Sequence, residues 1–211
     1  ELVGDVLGHE EYIERVLPLT EGELYNQAEV TYTEEFISKY LGRFGYAYPT
    51  VTTVPEINDE DKTVKLTLSV DPGKRIYVNR IKFNGNVVTA DSVLRQNVSQ
   101  MEGTWLSNNL LESSKNQLSR LTYMEEVEYE TVRIPGSEDK VDVNYNVKEQ
   151  PSGSFNAGIG YGDRTKLSLQ AGIQQDNFLG TGKRVGLNLS TVSYQRSAQI
   201  TYNDPYFTID G

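Results

Sequence analysis

Three stretches of this chain have the residue types and spacing to suggest ligand chemistry. Gly158-Ile159-Gly160-Tyr161-Gly162 has the look of a dinucleotide loop, but that fingerprint needs a third glycine at position 163, where Asp163 stands, and a helix after it, where a strand pattern follows. Gly180-Thr181-Gly182-Lys183 has the ending of a phosphate loop. It lacks the earlier glycine, since position 177 is Asn177, and the hydroxyl after the lysine, since position 184 is Arg184. Asn58-Asp59-Glu60-Asp61 could offer oxygens to calcium, yet the glycine and distal glutamate of a calcium loop are absent. All three read better as turns or strand segments. His9 is the one histidine and there is no cysteine, so a triad or thiolate metal site has almost nothing to draw on. Serines abound without a nucleophile elbow. Asn97-Val98-Ser99 and Asn188-Leu189-Ser190 match the glycosylation triplet, which is common by chance. The chain is therefore read as a non-enzyme with no cofactor and no metal.

The elements around these stretches are more telling. From Phe155 the apolar residues fall on every second position, Phe155, Ala157, Ile159 and Tyr161, with Ser154, Asn156, Gly158, Gly160 and Gly162 between them. The alternation returns in Leu167, Leu169, Ala171 and Ile173, in Val185, Leu187 and Leu189, and with its phase reset in Ala198, Ile200 and Tyr202. The other face carries Ser, Asn, Gln and Gly where a water-soluble sheet would carry Lys and Glu. That pattern predicts antiparallel strands of a transmembrane β-barrel, lipid outside and a wet lumen inside. There is no run of 18 apolar residues for a membrane helix.

Upstream lies a repeat. Leu2-Val3-Gly4-Asp5-Val6 stands 81 residues before Phe83-Asn84-Gly85-Asn86-Val87. At an offset of 77, Val64-Lys65-Leu66-Thr67-Leu68 falls on Val141-Asp142-Val143-Asn144-Tyr145. Each copy reads as strand, helix, helix, strand, strand, and the opening strand of the first copy is expected to lie before residue 1. Asn26, with Glu29 three residues on, is placed to cap a helix bearing Val30, Thr33, Ile37, Tyr40 and Leu41 on one face. Ser107 caps its counterpart, with Leu110, Leu111, Ser114, Leu118 and Leu121. Pro49 and Pro55 mark the penultimate strand of the first copy as an edge strand, because proline cannot donate to a ladder. Acidity is confined to this part: residues 1–73 hold five Lys and Arg against fifteen Asp and Glu, the rest being nearly balanced. With a net charge of −10 and no basic stripe, the chain is a poor match for nucleic acid or an anionic membrane surface.

Two such repeats running straight into barrel strands resemble the BamA family of outer-membrane protein insertases of Gram-negative bacteria. The resemblance rests on Leu41-Gly42-Arg43-Phe44-Gly45-Tyr46-Ala47-Tyr48-Pro49, Gln100-Met101-Glu102-Gly103, Gly153-Ser154-Phe155-Asn156, Gly158 to Gly162, and Gln175-Asp176-Asn177-Phe178-Leu179-Gly180-Thr181-Gly182. It implies α+β POTRA domains at residues 1–72 (the penultimate, without its first strand) and 73–150 (the last). The first four or so strands of an incomplete barrel then occupy 151–211. It further implies insertion of β-barrel clients into the bacterial outer membrane, with the POTRA domains in the periplasm and accessory outer-membrane lipoproteins as partners. Three residue sets are carried over with it. Phe155, Asn156, Ala157, Gly158, Ile159, Gly160, Tyr161 and Gly162 would form the strand of a lateral gate, its glycines weakening pairing. Arg95 and Glu102 would face a docked helical lipoprotein. Val127, Tyr129 and Thr131 would lie on the sheet edge that receives unfolded clients by β-augmentation. A POTRA-bearing secretion pore or related assembly factor would look alike. A soluble periplasmic scaffold would need charges on the outer faces of the last strands.

Overall fold

The computed structural model describes residues 1–19, 21–163 and 166–207. Residue 20 of the first expected domain, and residues 164, 165 and 208–211 of the expected barrel segment, lie outside the described residues. Two compact units divide the chain. One comprises Glu1–Lys82, Ser99–Ser113 and Thr131–Val143, the other Phe83–Val98, Ser114–Glu130 and everything from Asn144 on.

The first repeat runs β1 (Leu2–Gly4), α1 (Glu10–Val16), α2 (Gln27–Gly42), β2 (Thr50–Asn58) and β3 (Thr63–Asp71). Its sheet has the order β1-β3-β2, with β1 parallel to β3 through Leu2 opposite Leu68, and β2 antiparallel. The expectation that the opening strand lies wholly before residue 1 is therefore corrected: three residues of it are here, held by the ladder to β3. Helix α2 starts as its sequence dictates. The Asn26 carboxamide oxygen accepts from the Ala28 amide at 3.0 Å while its nitrogen donates to Glu29 at 3.0 Å. The stripe Val30, Thr33, Ile37 and Leu41 is buried, and Ile37 and Leu41 join Val6, Ile13, Leu68 and Val70 in one core. Each such side chain contributes on the order of 1.5–3 kcal/mol on burial, which outweighs the weak intrinsic preference of β-branched residues against helix. Asn58 closes the hairpin by accepting from the amides of Glu60 and Asp61 at 3.0 and 3.4 Å, which makes the acidic tetrapeptide a solvated turn.

The second repeat repeats the plan: β4 (Tyr77–Asn84), α3 (Asp91–Arg95), α4 (Asn108–Ser119), β5 (Met124–Arg133) and β6 (Lys140–Glu149), with sheet order β4-β6-β5. Helix α4 begins immediately after Ser107, whose carbonyl accepts from the Leu111 amide at 3.0 Å. Glycine ends the opening strand in both copies for one reason. Gly4 and Gly85 have φ of +114° and +92°, and a Cβ on either would sit 2.1 or 2.0 Å from the Val70 or Val147 carbonyl oxygen.

Four antiparallel strands follow, β7 (Gly153–Gly162), β8 (Lys166–Gln175), β9 (Arg184–Val192) and β10 (Gln195–Asn203), in the order β10-β9-β8-β7. The register lines up Phe155, Ile173, Leu187 and Ile200 in one row across the sheet. The neighbouring row on the opposite face is Asn156, Gly172, Asn188 and Gln199. Gly172 leaves room there for its neighbours: a Cβ would meet the Asn156 and Asn188 carboxamide oxygens at 2.3 and 2.4 Å, so those side chains would have to turn aside.

Candidate functional site

The chemistry on offer at the sheet edges is that of backbone turned away from the neighbouring strand. Strand β5 ends its sheet. The Ile134 amide donates to the Lys140 carbonyl at 3.3 Å, so residues two, four and six before Ile134 point their amides at β6. Val127, Tyr129 and Thr131, of opposite parity, turn theirs to the outer edge. Their side chains lie on the covered face. Val127 is buried, the Tyr129 ring lies 5.9 Å from that of Tyr145, and the Thr131 hydroxyl is 3.3 Å from that of Tyr48. The three expected edge residues thus share one strand and one face. What they offer outward is backbone rather than side chain.

Arg95 and Glu102 are each engaged inside the repeat. The Arg95 guanidinium, at the end of α3, donates to Asp91 one turn back at 2.5 Å and lies 5.6 Å over the Phe83 ring. Glu102 sits in a segment that lies along the outer side of β4. There the Val78 amide donates to the Thr104 carbonyl at 2.9 Å, the Gly103 amide to the Val78 carbonyl at 2.7 Å, and the Leu106 amide to Ile76 at 2.8 Å. Glu102 continues this line by accepting from the Ile81 amide at 2.8 Å. Met101 beside it is 71% exposed. His9 is an aromatic packing residue, stacked on Phe44 at 5.1 Å and edge-on to Tyr40 at 5.4 Å.

Strand β7 is terminal in its sheet. The Asp176 amide donates to the Ser152 carbonyl at 3.3 Å, in register with the β7–β8 ladder. Even-numbered residues of β7 are therefore bonded to β8, while Phe155, Ala157, Ile159 and Tyr161 turn their amides and carbonyls outward. Their side chains are bare as well: Phe155, Ile159 and Tyr161 are each 75% exposed, and Ile173 and Ile200 on the same face 58% and 78%. A contiguous apolar face of this kind on a folded sheet marks a surface made for something other than water.

One cluster escaped the sequence reading. Glu149, at the end of β6, accepts from three consecutive amides, Val87 and Val88 at 2.9 Å each and Thr89 at 2.7 Å. Burial works to raise its pKa, but the bonds from Thr89 and from the Val87, Val88 and Thr89 amides win and hold the carboxyl below its ordinary value. The loop it gathers meets the turn after β8. Asn177 donates to the Thr89 hydroxyl at 2.8 Å and the Ala90 amide to the Gly180 carbonyl at 2.9 Å. Asn97 donates to the Tyr206 hydroxyl at 2.8 Å. No sequence rule points to Asn177, which takes the left-handed conformation at φ 49° in a run that includes Gly180 and Gly182 at +75° and +72°. Arg184 closes the turn on Asp176 at 2.6 Å, and Thr122 donates to the same carboxylate at 2.9 Å.

Comparison with known proteins gives one family model, POTRA, described as surface antigen variable number repeat, which matches residues 1–73 and again 76–150. Among curated proteins, outer membrane protein assembly factor BamA of Neisseria meningitidis serogroup B is 36% identical over 199 residues, 94% of this chain and 25% of that protein. BamA of Buchnera aphidicola is 31% identical over 204 residues, 97% of this chain and 33% of that protein. The chain thus spans a quarter to a third of these relatives. Among solved structures, BamA from Haemophilus ducreyi lacking POTRA domains 1–3 superposes with a TM-score of 0.86 at 40% identity, covering 100% of this chain and 40% of that one.

Proposed function

The chain belongs to the POTRA family, and on that footing we propose that it is the membrane-proximal part of an outer-membrane protein assembly factor, two periplasmic POTRA domains leading into the first strands of a barrel. The observation that carries this reading is the sheet β7–β10: an exposed apolar row, Phe155, Ile173, Leu187 and Ile200, backed by a row of Asn, Gln and Gly. Lipid on one side and a wet lumen on the other suit these two faces.

The mechanism follows from where backbone faces outward from a sheet edge. An unfolded client strand adds to the edge of β5 through main-chain hydrogen bonds, which ask little of its sequence. It then meets β7. In hydrocarbon each unsatisfied amide or carbonyl costs several kcal/mol, so a gate edge at Phe155, Ala157, Ile159 and Tyr161 has a strong drive to pair with an incoming strand. Gly158 and Gly160 contribute no side-chain packing to the ladder and make its partner easier to exchange. Client folding and burial supply the energy, without nucleotide or cofactor. Accessory lipoproteins dock on the second repeat around α3 and the Gln100–Leu106 segment, where Met101 is open to solvent.

The reading is tested by reconstituting the full-length protein in liposomes and following insertion of an unfolded barrel client by its heat-modifiable gel mobility. Faster insertion than into empty liposomes is expected. Client passage into the lumen without insertion would instead identify a secretion pore.

A further inference from the structure

The two repeats do not treat their sheet edges alike. In the first, β2 ends the sheet, and the Thr53 amide donates to the α2 carboxylate of Glu34 at 2.8 Å. That bond turns Thr53, and with it Val51, Pro55 and Ile57, toward the outer edge. Of these four outward positions Thr53 is already spent on Glu34, and Pro55 has no donor to give. An added strand would therefore find no donor across the middle of β2, and it would have to displace a carboxylate to recover one.

In the second repeat, β4 is covered along its outer side by the Gly103–Leu106 segment and by Glu102 on the Ile81 amide. The other terminal strand, β5, differs at the corresponding helix position. Counting from the helix caps Asn26 and Ser107, Glu34 matches Lys115. An ammonium cannot accept from an amide, and Lys115 instead pairs with Glu128 at 2.9 Å. Strand β5 holds no proline, and among the described residues no side chain accepts from the Val127 or Thr131 amide. Its exposed face carries Glu126, Glu128 and Glu130, with Glu128 shared with Lys115 and Glu130 accepting from the Asn144 carboxamide at 3.3 Å, which leaves the face acidic.

We propose that Glu34 and Pro55 close the β2 edge and Glu102 with its segment closes the β4 edge, so that extended client segments are directed onto β5, which favours those with Lys or Arg at alternate positions over acidic ones. This rests on the strand-addition reading above, which has clients add to β5, and it adds what keeps them off the other two edges and which clients β5 selects. It also gives Glu102 a task inside its own domain. Cross-strand neighbours of opposite charge stabilise an added strand, and like charges oppose it.

The test is hydrogen exchange resolved to single amides, on the full chain in detergent micelles, with a capped peptide of alternating lysine and valine. The Val127 and Thr131 amides should slow by about tenfold or more, with Val51 and Ile57 unchanged, and an alternating glutamate and valine peptide should slow neither pair. In a Glu34→Ala, Pro55→Val variant the β2 amides should slow as well. Pro55→Val alone, which restores a donor but keeps the carboxylate, should fall between, and Glu34→Gln, which keeps an acceptor, should behave as wild type. Equal protection of β2 and β5 in the wild type, or an unprotected β2 in the double variant, would overturn the guard assignment while leaving strand addition intact. Protection of no edge in any variant would remove strand addition itself.

Discussion

Removing the Glu149 carboxylate tests whether it holds together the loop that meets the turn after β8. Its oxygens serve the Val87, Val88 and Thr89 amides, two in an exposed setting and one partly buried. A hydrogen bond of this kind is worth about 1 kcal/mol net, less where water can replace it. Glu149→Ala should therefore cost about 2 kcal/mol of local stability, or roughly a 30-fold faster exchange of those three amides. Glu149→Gln keeps an acceptor but loses the charge, and about 1 kcal/mol, or roughly fivefold, is expected. Because the carboxyl's pKa is depressed in the folded chain, its contribution is fully present above the unfolded value of about 4.3 and is lost as pH falls through the lower folded value. The ratio of variant to wild-type exchange should thus be constant near neutrality and shrink toward unity below about pH 4 for Glu149→Ala. Unchanged exchange at Val87 to Thr89, or a ratio that ignores pH down to about pH 3, would refute the reasoning.

Tyr129→Pro and Thr131→Pro remove outward amides without breaking the β6 ladder, so each should weaken crosslinking of an unfolded client while circular dichroism stays native; equal crosslinking would clear β5 of the role. Glu102→Lys should weaken recovery of an accessory lipoprotein both by charge and by baring the Ile81 amide, whereas Glu102→Gln keeps the acceptor and isolates the charge; equal recovery by both variants and wild type would confine Glu102 to its edge. Residues 1–150 should run as a soluble monomer in size-exclusion chromatography, while the whole chain should need detergent because β7–β10 bares an apolar face; a monodisperse, monomeric whole chain in plain buffer would contradict the lipid-facing assignment.

Much of the architecture was legible because its signals are periodic. The alternation from Phe155, the capping pair Asn26 and Glu29, and the edge mark of Pro55 each depend on neighbours within a few residues, and the structure has an antiparallel strand, a capped helix and a terminal strand at these places. The opening strand of the first repeat was misjudged because three residues, Leu2 to Gly4, are too few to show a period; their pairing with β3 is set 66 residues away. Glu149, Asn177 and Glu34 were missed for a related reason. A carboxylate or carboxamide that closes a distant backbone group leaves no local spacing, and only the offset between the repeats, Glu34 against Lys115, hints at the difference. Glu102 was reached through family resemblance, and its bond to the Ile81 amide was invisible until β4 and its covering segment lay side by side.

The central claim is that one face of β7–β10 meets lipid and the other water. These 211 residues hold no cysteine, so in a full-length protein freed of any cysteine elsewhere, single cysteines at Ile173 and Leu187, and at Gln170 and Asn188, can carry spin labels after reconstitution in bilayers. The account predicts that labels at 173 and 187 collide with dissolved oxygen and are shielded from a water-soluble nickel chelate, and that labels at 170 and 188 show the reverse. Nickel access at all four positions would contradict it.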